Sequence, residues 1–90
     1  MRRLKKLMPE LLNEMRNDLS GSPLSREIVL MNKSWAFWGK GDELFYYYDQ
    51  HPDLDNKFRI LNNFGLVYDI TSGYTKKYVI MEEFADYLTV

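Results

Sequence analysis

HPDLDNKFRILNNFGLVYDITSGYTKKYVI, residues 51–80, is the stretch whose reading decides the fold. Leu54, Phe58, Leu61 and Phe64 recur at spacings of four, three and three, which is the apolar stripe of an amphipathic helix. Pro52 and Asp53 open it, since proline suits a first helical turn, where its missing N–H is no loss. Asp53 and Asp55 set negative charge against the positive end of the helix dipole. Gly65 ends it, because glycine takes the left-handed conformation at little cost. With Gly65 at C′, Leu66 falls at C″ and can close over Leu61 in a Schellman contact. Residues 66–71 (LVYDIT) and 75–80 (TKKYVI) then flank Ser72, Gly73 and Tyr74, β-branched and aromatic arms around a turn. The spacing predicts a helix over 53–64 and a hairpin over 66–80.

Ahead of this unit, Leu4, Leu7, Met8, Leu11, Leu12, Met15 and Leu19 keep a helical rhythm, with polar residues between them. Pro9 divides it. Either a helix begins at Met8 and Pro9 behind a frayed basic leader, or Pro9 kinks a longer helix. The first reading gives a helix over 8–19, stopped by Ser20, Gly21, Ser22 and Pro23. Residues 26–31 (REIVLM) read as a strand, from a continuous apolar run with β-branched members. The helical spacing of Leu24, Ile28 and Met31 is the alternative. Residues 35–38 (WAFW) and 43–48 (ELFYYY) read as strands about a turn at 39–42, which places the strands within 26–48. Met81, Phe84, Ala85 and Leu88 give a terminal helix over 81–88, with Glu82 and Glu83 in its first turn. The fold class is α+β: an N-terminal helix, antiparallel strands, a central helix, a β-hairpin and a short C-terminal helix. Leu54, Phe58, Leu61, Tyr78 and Ile80 are expected to bury against Leu11, Leu12 and Met15.

Ninety residues make one domain, 1–90, and a chain this short buries about two thirds of its unfolded surface. Five Phe, seven Tyr and two Trp supply large burial per residue. With no cysteine, disulfide frameworks, thiolate chemistry and cysteine-based zinc sites are excluded. No run is long enough to span a bilayer and residues 1–15 lack a signal-peptide core, so no membrane partner and a cytoplasmic location are expected. The net charge is −1, but Arg2, Arg3, Lys5 and Lys6 hold four of the twelve bases. From residue 7 onward eight bases face thirteen acids, a mildly acidic body of −5 behind a basic leader over 1–7. Such a body does not wrap nucleic acid by bulk electrostatics, though a local basic strip could still bind it.

Residues 57–67 (KFRILNNFGLV), followed by 68–80, resemble the recognition helix and wing of the winged-helix superfamily, and a short helix after the wing is common there. The resemblance covers about residues 51–88. It implies a small DNA-binding regulator, with the 53–64 helix in the groove and the 68–80 hairpin on the backbone. That superfamily places another helix shortly before the recognition helix, whereas residues 41–50 (GDELFYYYDQ) look like a strand. Either residues 26–31 supply that helix, or a hairpin has been inserted.

On the DNA reading, Asn56, Lys57, Arg59 and Asn62 would present amides and cations to base edges, and Lys76 and Lys77 would hold phosphates. Asp53 and Asp55 stand where that helix would meet phosphates. The competing reading is an ordinary polar face, with Lys57 and Arg59 answering the two aspartates. The second surface is aromatic. Trp35, Phe37, Trp38, Phe45, Tyr46, Tyr47 and Tyr48 lie close together, and strand alternation puts Phe45 and Tyr47 on one side and Tyr46 and Tyr48 on the other. Helices can cover one side of such strands but hardly both, so Trp35, Trp38, Tyr46 and Tyr48 are the protein-interface candidates. One thick core that buries both sides is the alternative. Asp42, Glu43 and Asp49 bracket the patch and disfavour base stacking. Asp49, His51, Asp53 and Asp55 match no metal-loop spacing; helix initiation and a turn explain them, and no metal or cofactor is expected. No serine or threonine pairs with His51 as a nucleophile would, so catalysis is not expected. The sequence therefore points to a non-catalytic protein-interaction module of adaptor or inhibitor type, with DNA regulation as the alternative and a homodimer compatible with either.

Overall fold

The computed structural model describes residues 2–32 and 43–89. Among these residues four helices and four strands follow in the order α1 (Arg2–Leu7), α2 (Pro9–Gly21), β1 (Glu27–Met31), β2 (Leu44–Tyr47), α3 (Leu54–Asn63), β3 (Val67–Asp69), β4 (Lys76–Ile80) and α4 (Glu82–Thr89). The result is a small mixed α+β domain, as expected. Residues 35–38 and the turn at 39–42 lie outside the described residues, and with them Trp35, Phe37 and Trp38.

Pro9 occupies the first turn of α2, where its absent N–H leaves no orphan. The leader ahead of it, expected as a frayed start, is helix α1. Met8 joins the two helices, its N–H donating to the Leu4 carbonyl at 2.9 Å while its own carbonyl accepts from Leu12 at 3.1 Å. Within residues 26–31 the chain is strand β1, Glu27–Met31, not the alternative helix, and β1 is hydrogen-bonded on both sides.

The sheet order is β2-β1-β4-β3. β4 runs antiparallel to both β1 and β3, whereas β1 and β2 are parallel, which corrects the expectation of antiparallel strands throughout. Parallel neighbours need a crossover of roughly a dozen residues rather than a tight turn. The chain between Met31 and Leu44 has that length.

α3 ends in the expected way. Gly65 has φ +74°, its N–H donates to the Asn62 carbonyl at 3.0 Å, and the Leu66 N–H reaches back to the Leu61 carbonyl at 3.0 Å. These are the two bonds of a Schellman motif, with Leu61 and Leu66 both in the core. The start differs. Helical geometry begins at Leu54, with Asp53 as N-cap at φ 59° and no side-chain capping bond, so Pro52 sits in the preceding turn. Aspartate tolerates this left-handed conformation better than most residues. Phe64 leaves the apolar stripe: at the C-cap it is 52% exposed, since the Schellman turn carries Leu66 into the core instead.

One core joins all layers. Leu11, Leu12, Met15 and Leu19 of α2 meet Leu54, Phe58 and Leu61 of α3, Tyr78 and Ile80 of β4, and Phe84 and Leu88 of α4. Phe58 stacks on Tyr78 with centroids 5.0 Å apart and lies 6.1 Å from Tyr46. The helices cover one side of the sheet. Arg16 ties α2 to α4 through a 2.9 Å bond to the Leu88 carbonyl, and Arg26 grips Glu82 at 2.8 and 3.2 Å.

Candidate interaction surfaces

Strand register decides which side chains the sheet can offer. Ile28 pairs with Leu44 and Leu30 with Tyr46, all four buried towards the helices. By alternation, Val29 and Phe45, and Met31 and Tyr47, point to the opposite face. Val79 and Tyr68 are register partners on that same outer face, as Lys77 is with Val29. The face thus carries Phe45, Tyr47, Tyr68, Met31, Val79 and the buried Val29, with Glu27 and Lys77 as its charged members. Tyr68 is 62% exposed, and Phe45, Tyr47, Met31 and Val79 are half-buried.

This corrects the aromatic candidates. Tyr46 is fully buried and cannot anchor a partner, because its parity puts it under α2 and α3. Tyr48 follows β2, is half-buried, and donates its hydroxyl to Asp55 Oδ1 at 3.0 Å. Burial, and then that bond to a carboxylate, hold the Tyr48 phenol up at about 12. The outward aromatics are instead Phe45, Tyr47 and Tyr68. Phe45 and Tyr47 were legible as a pair from alternation, but which pair faced outward was not. Tyr68 was missed because it was read only as part of a hairpin arm.

A second feature lies between α3 and the β3–β4 hairpin. Asp55, Arg59 and Asn62, on one face of α3, meet Asp69, Lys76 and Tyr78 across a cleft of about 150 Å³. Of the DNA-contact candidates, Arg59, Asn62 and Lys76 come together here. Lys77 does not join them, because adjacent strand residues point to opposite faces. Asn56 is exposed and Lys57 half-buried on α3, neither lining the cleft. The DNA reading requires a basic strip here; the surface alternates in sign instead, since Asp55 and Asp69 share it with the two cations. The Asp69 carboxyl is held below its usual range by hydrogen bonds from Thr71, whose N–H lies at 2.8 Å. Lys57 and Arg59 close no ion pair with Asp53 or Asp55 among the described residues.

The third feature is buried. His51, only 5% exposed, lies with Nε2 3.0 Å from Glu14 Oε2, the geometry of an N–H donating to a carboxylate. Its backbone lies in the turn ahead of α3, as expected, the N–H donating to the Tyr47 carbonyl at 3.2 Å, while its side chain makes a core contact. Tyr46 packs edge-on to its ring at 6.3 Å. The Tyr46 hydroxyl is close to Asp18 but has no partner in hydrogen-bonding geometry, and neither has His51 Nδ1, among the described residues. Burial first, and then the Asp18 and Glu14 charges, push the Tyr46 phenol far above its ordinary range. Burial likewise raises the Asp18 carboxyl, with Tyr46 opposing and Glu14 adding to the rise. No group of three or more His, Asp or Glu among the described residues is placed to hold a metal ion.

These features define a small mixed α+β domain with a one-sided aromatic sheet face and a charge-alternating cleft. No protein-family model, curated protein or solved structure matches the chain. Among the described residues no helix is long and apolar enough to cross a membrane.

Proposed function

We propose that this domain is a non-catalytic protein-interaction module that docks a protein partner through the outer face of its sheet. The observation that carries the reading is the outward register of Phe45, Tyr47 and Tyr68 beside Met31 and Val79. Interface cores are rich in such aromatics and methionine and poor in charge, with charged groups kept to the rim. Rigid rings on strands also lose little entropy on contact, which makes them efficient anchors. The partner therefore presents an apolar patch of its own.

A DNA-binding reading of winged-helix type keeps one observation in its favour, the convergence of Arg59, Asn62 and Lys76. Against it, Asp55 and Asp69 occupy the same cleft and Lys77 faces away, so phosphates would meet both signs of charge.

The test is comparative affinity capture with three forms: wild type, Tyr68→Glu, and Arg59→Gln combined with Lys76→Gln. All the altered side chains are exposed, so stability should change by no more than about 0.5 kcal/mol per site. A polypeptide held by wild type and by the cleft double variant, but lost from Tyr68→Glu, supports the protein reading. Retention of labelled duplex DNA at low salt, abolished by the cleft variant and untouched by Tyr68→Glu, would replace it with the DNA reading.

A further inference from the structure

The cleft between α3 and the hairpin has a property that the sheet face does not explain. Its walls carry Asp55 and Arg59 on the helix side and Asp69 and Lys76 on the hairpin side, an acid and a base on each. Opposite charges on facing walls ordinarily close into ion pairs. Here none of the four does so among the described residues, whereas Arg26 and Glu82 do pair, at 2.8 Å. The carboxylates are nonetheless oriented: Tyr48 donates to Asp55 Oδ1 at 3.0 Å and the Thr71 N–H to Asp69 Oδ1 at 2.8 Å. Asp55 thus keeps its second oxygen for a ligand, and the Thr71 bonds hold the Asp69 carboxylate ionised at the cleft wall. Arg59 and Lys76 offer donors without an ionic partner, and Asn62 adds an amide. Tyr78, 5% exposed, forms the floor, its phenol raised first by burial and then by the Asp69 and Asp55 charges, with Arg59 opposing.

The lining is electrically neutral in sum but polarised within, which disfavours a polyanion and gives a simple monoanion two repelling neighbours. The volume, about 150 Å³, is below the range of roughly 300–1,000 Å³ usual for drug-sized ligands, so the guest has few heavy atoms. We infer that this cleft binds a small zwitterion of the α-amino-acid type, its carboxylate between Arg59 and Lys76 and its ammonium group between Asp55 and Asp69. Arginine suits the carboxylate end because its planar fork matches two oxygens, and each added charge-assisted bond strengthens the whole. The site lies on the side of the sheet opposite Tyr68, so it stands or falls independently of the proposed protein contact.

The experiment is a titration of the ¹⁵N-labelled full chain, followed by NMR, with glycine and separately with its two halves, acetate and methylammonium. Glycine should shift the signals of Arg59, Asn62, Asp69 and Lys76 and saturate. Each half should bind weaker by roughly tenfold or more, as expected for losing charge-assisted bonds at one end. Arg59→Gln and Asp55→Asn, both at exposed positions, should each reduce glycine affinity to that of a half-ligand, while Tyr68→Glu leaves it unchanged. Acetate binding as well as glycine would overturn the zwitterion assignment in favour of an anion site. Shifts that persist in both cleft variants, or no saturable shift at all, would overturn the site itself.

Discussion

Two single residues show how local chemistry sets local stability. Gly65 sits at φ +74°, and a Cβ built there would meet nothing within 4 Å. The cost of a side chain is therefore conformational rather than steric crowding by neighbours. Gly65→Ala is expected to destabilise by about 1 kcal/mol, measured by urea titration, because alanine is strained in the left-handed region. Asp18 is the opposite case, a residue whose removal should help. It lies near the C-terminal end of α2, where the helix dipole disfavours an anion, and that helix has no base in its last turn. Burial and Glu14 hold its carboxyl pKa above the ordinary value in the folded state. The folded protein thus binds that proton more tightly than the unfolded chain does. Its contribution is most favourable below the unfolded value and is lost as pH rises through the folded one. Asp18→Asn should accordingly raise the melting temperature at pH 7, with the gain shrinking as the pH falls towards 3. An unchanged difference across that range would show that the carboxylate is not the cause.

At the scale of elements, α3 is the hub. Phe58 is fully buried, stacked on Tyr78 and close to Tyr46, so it links helix, hairpin and edge strand. Phe58→Ala should cost about 3–5 kcal/mol by denaturant titration, the usual range for a truncated core phenylalanine. A loss below about 1 kcal/mol would mean that the helix face is peripheral. Much of this element was legible beforehand: the stripe of Leu54, Phe58 and Leu61, the glycine stop and the Schellman closure all follow from spacing. What was not legible depended on contacts between distant residues. Alternation along residues 44–48 separates Phe45 and Tyr47 from Tyr46 and Tyr48, but it cannot say which pair the helices cover. That choice is made by the parallel register with β1, whose Ile28 and Leu30 face the core. Lys76 and Lys77 pose the same problem, since neighbours on a strand cannot serve one surface together. His51 was legible as a turn residue, but its burial was not, because its partner, Glu14, lies thirty-seven residues away.

For the whole molecule, the central claim is that contact with a partner is made through the outer sheet face. The helices bury the other face in one continuous core. A photo-reactive amino acid placed at one position per surface tests this most directly. Positions 47 and 68 report the outer face, position 59 the cleft and position 13 the exposed side of α2. Irradiation in the source cell should give the same discrete adduct from positions 47 and 68 and none from position 13. Adding Tyr68→Glu to a probe at position 47 should reduce that adduct about thirtyfold or more, the loss expected for an interface anchor worth about 2 kcal/mol or more. Adducts confined to position 59 or position 13, with positions 47 and 68 silent, would contradict the account.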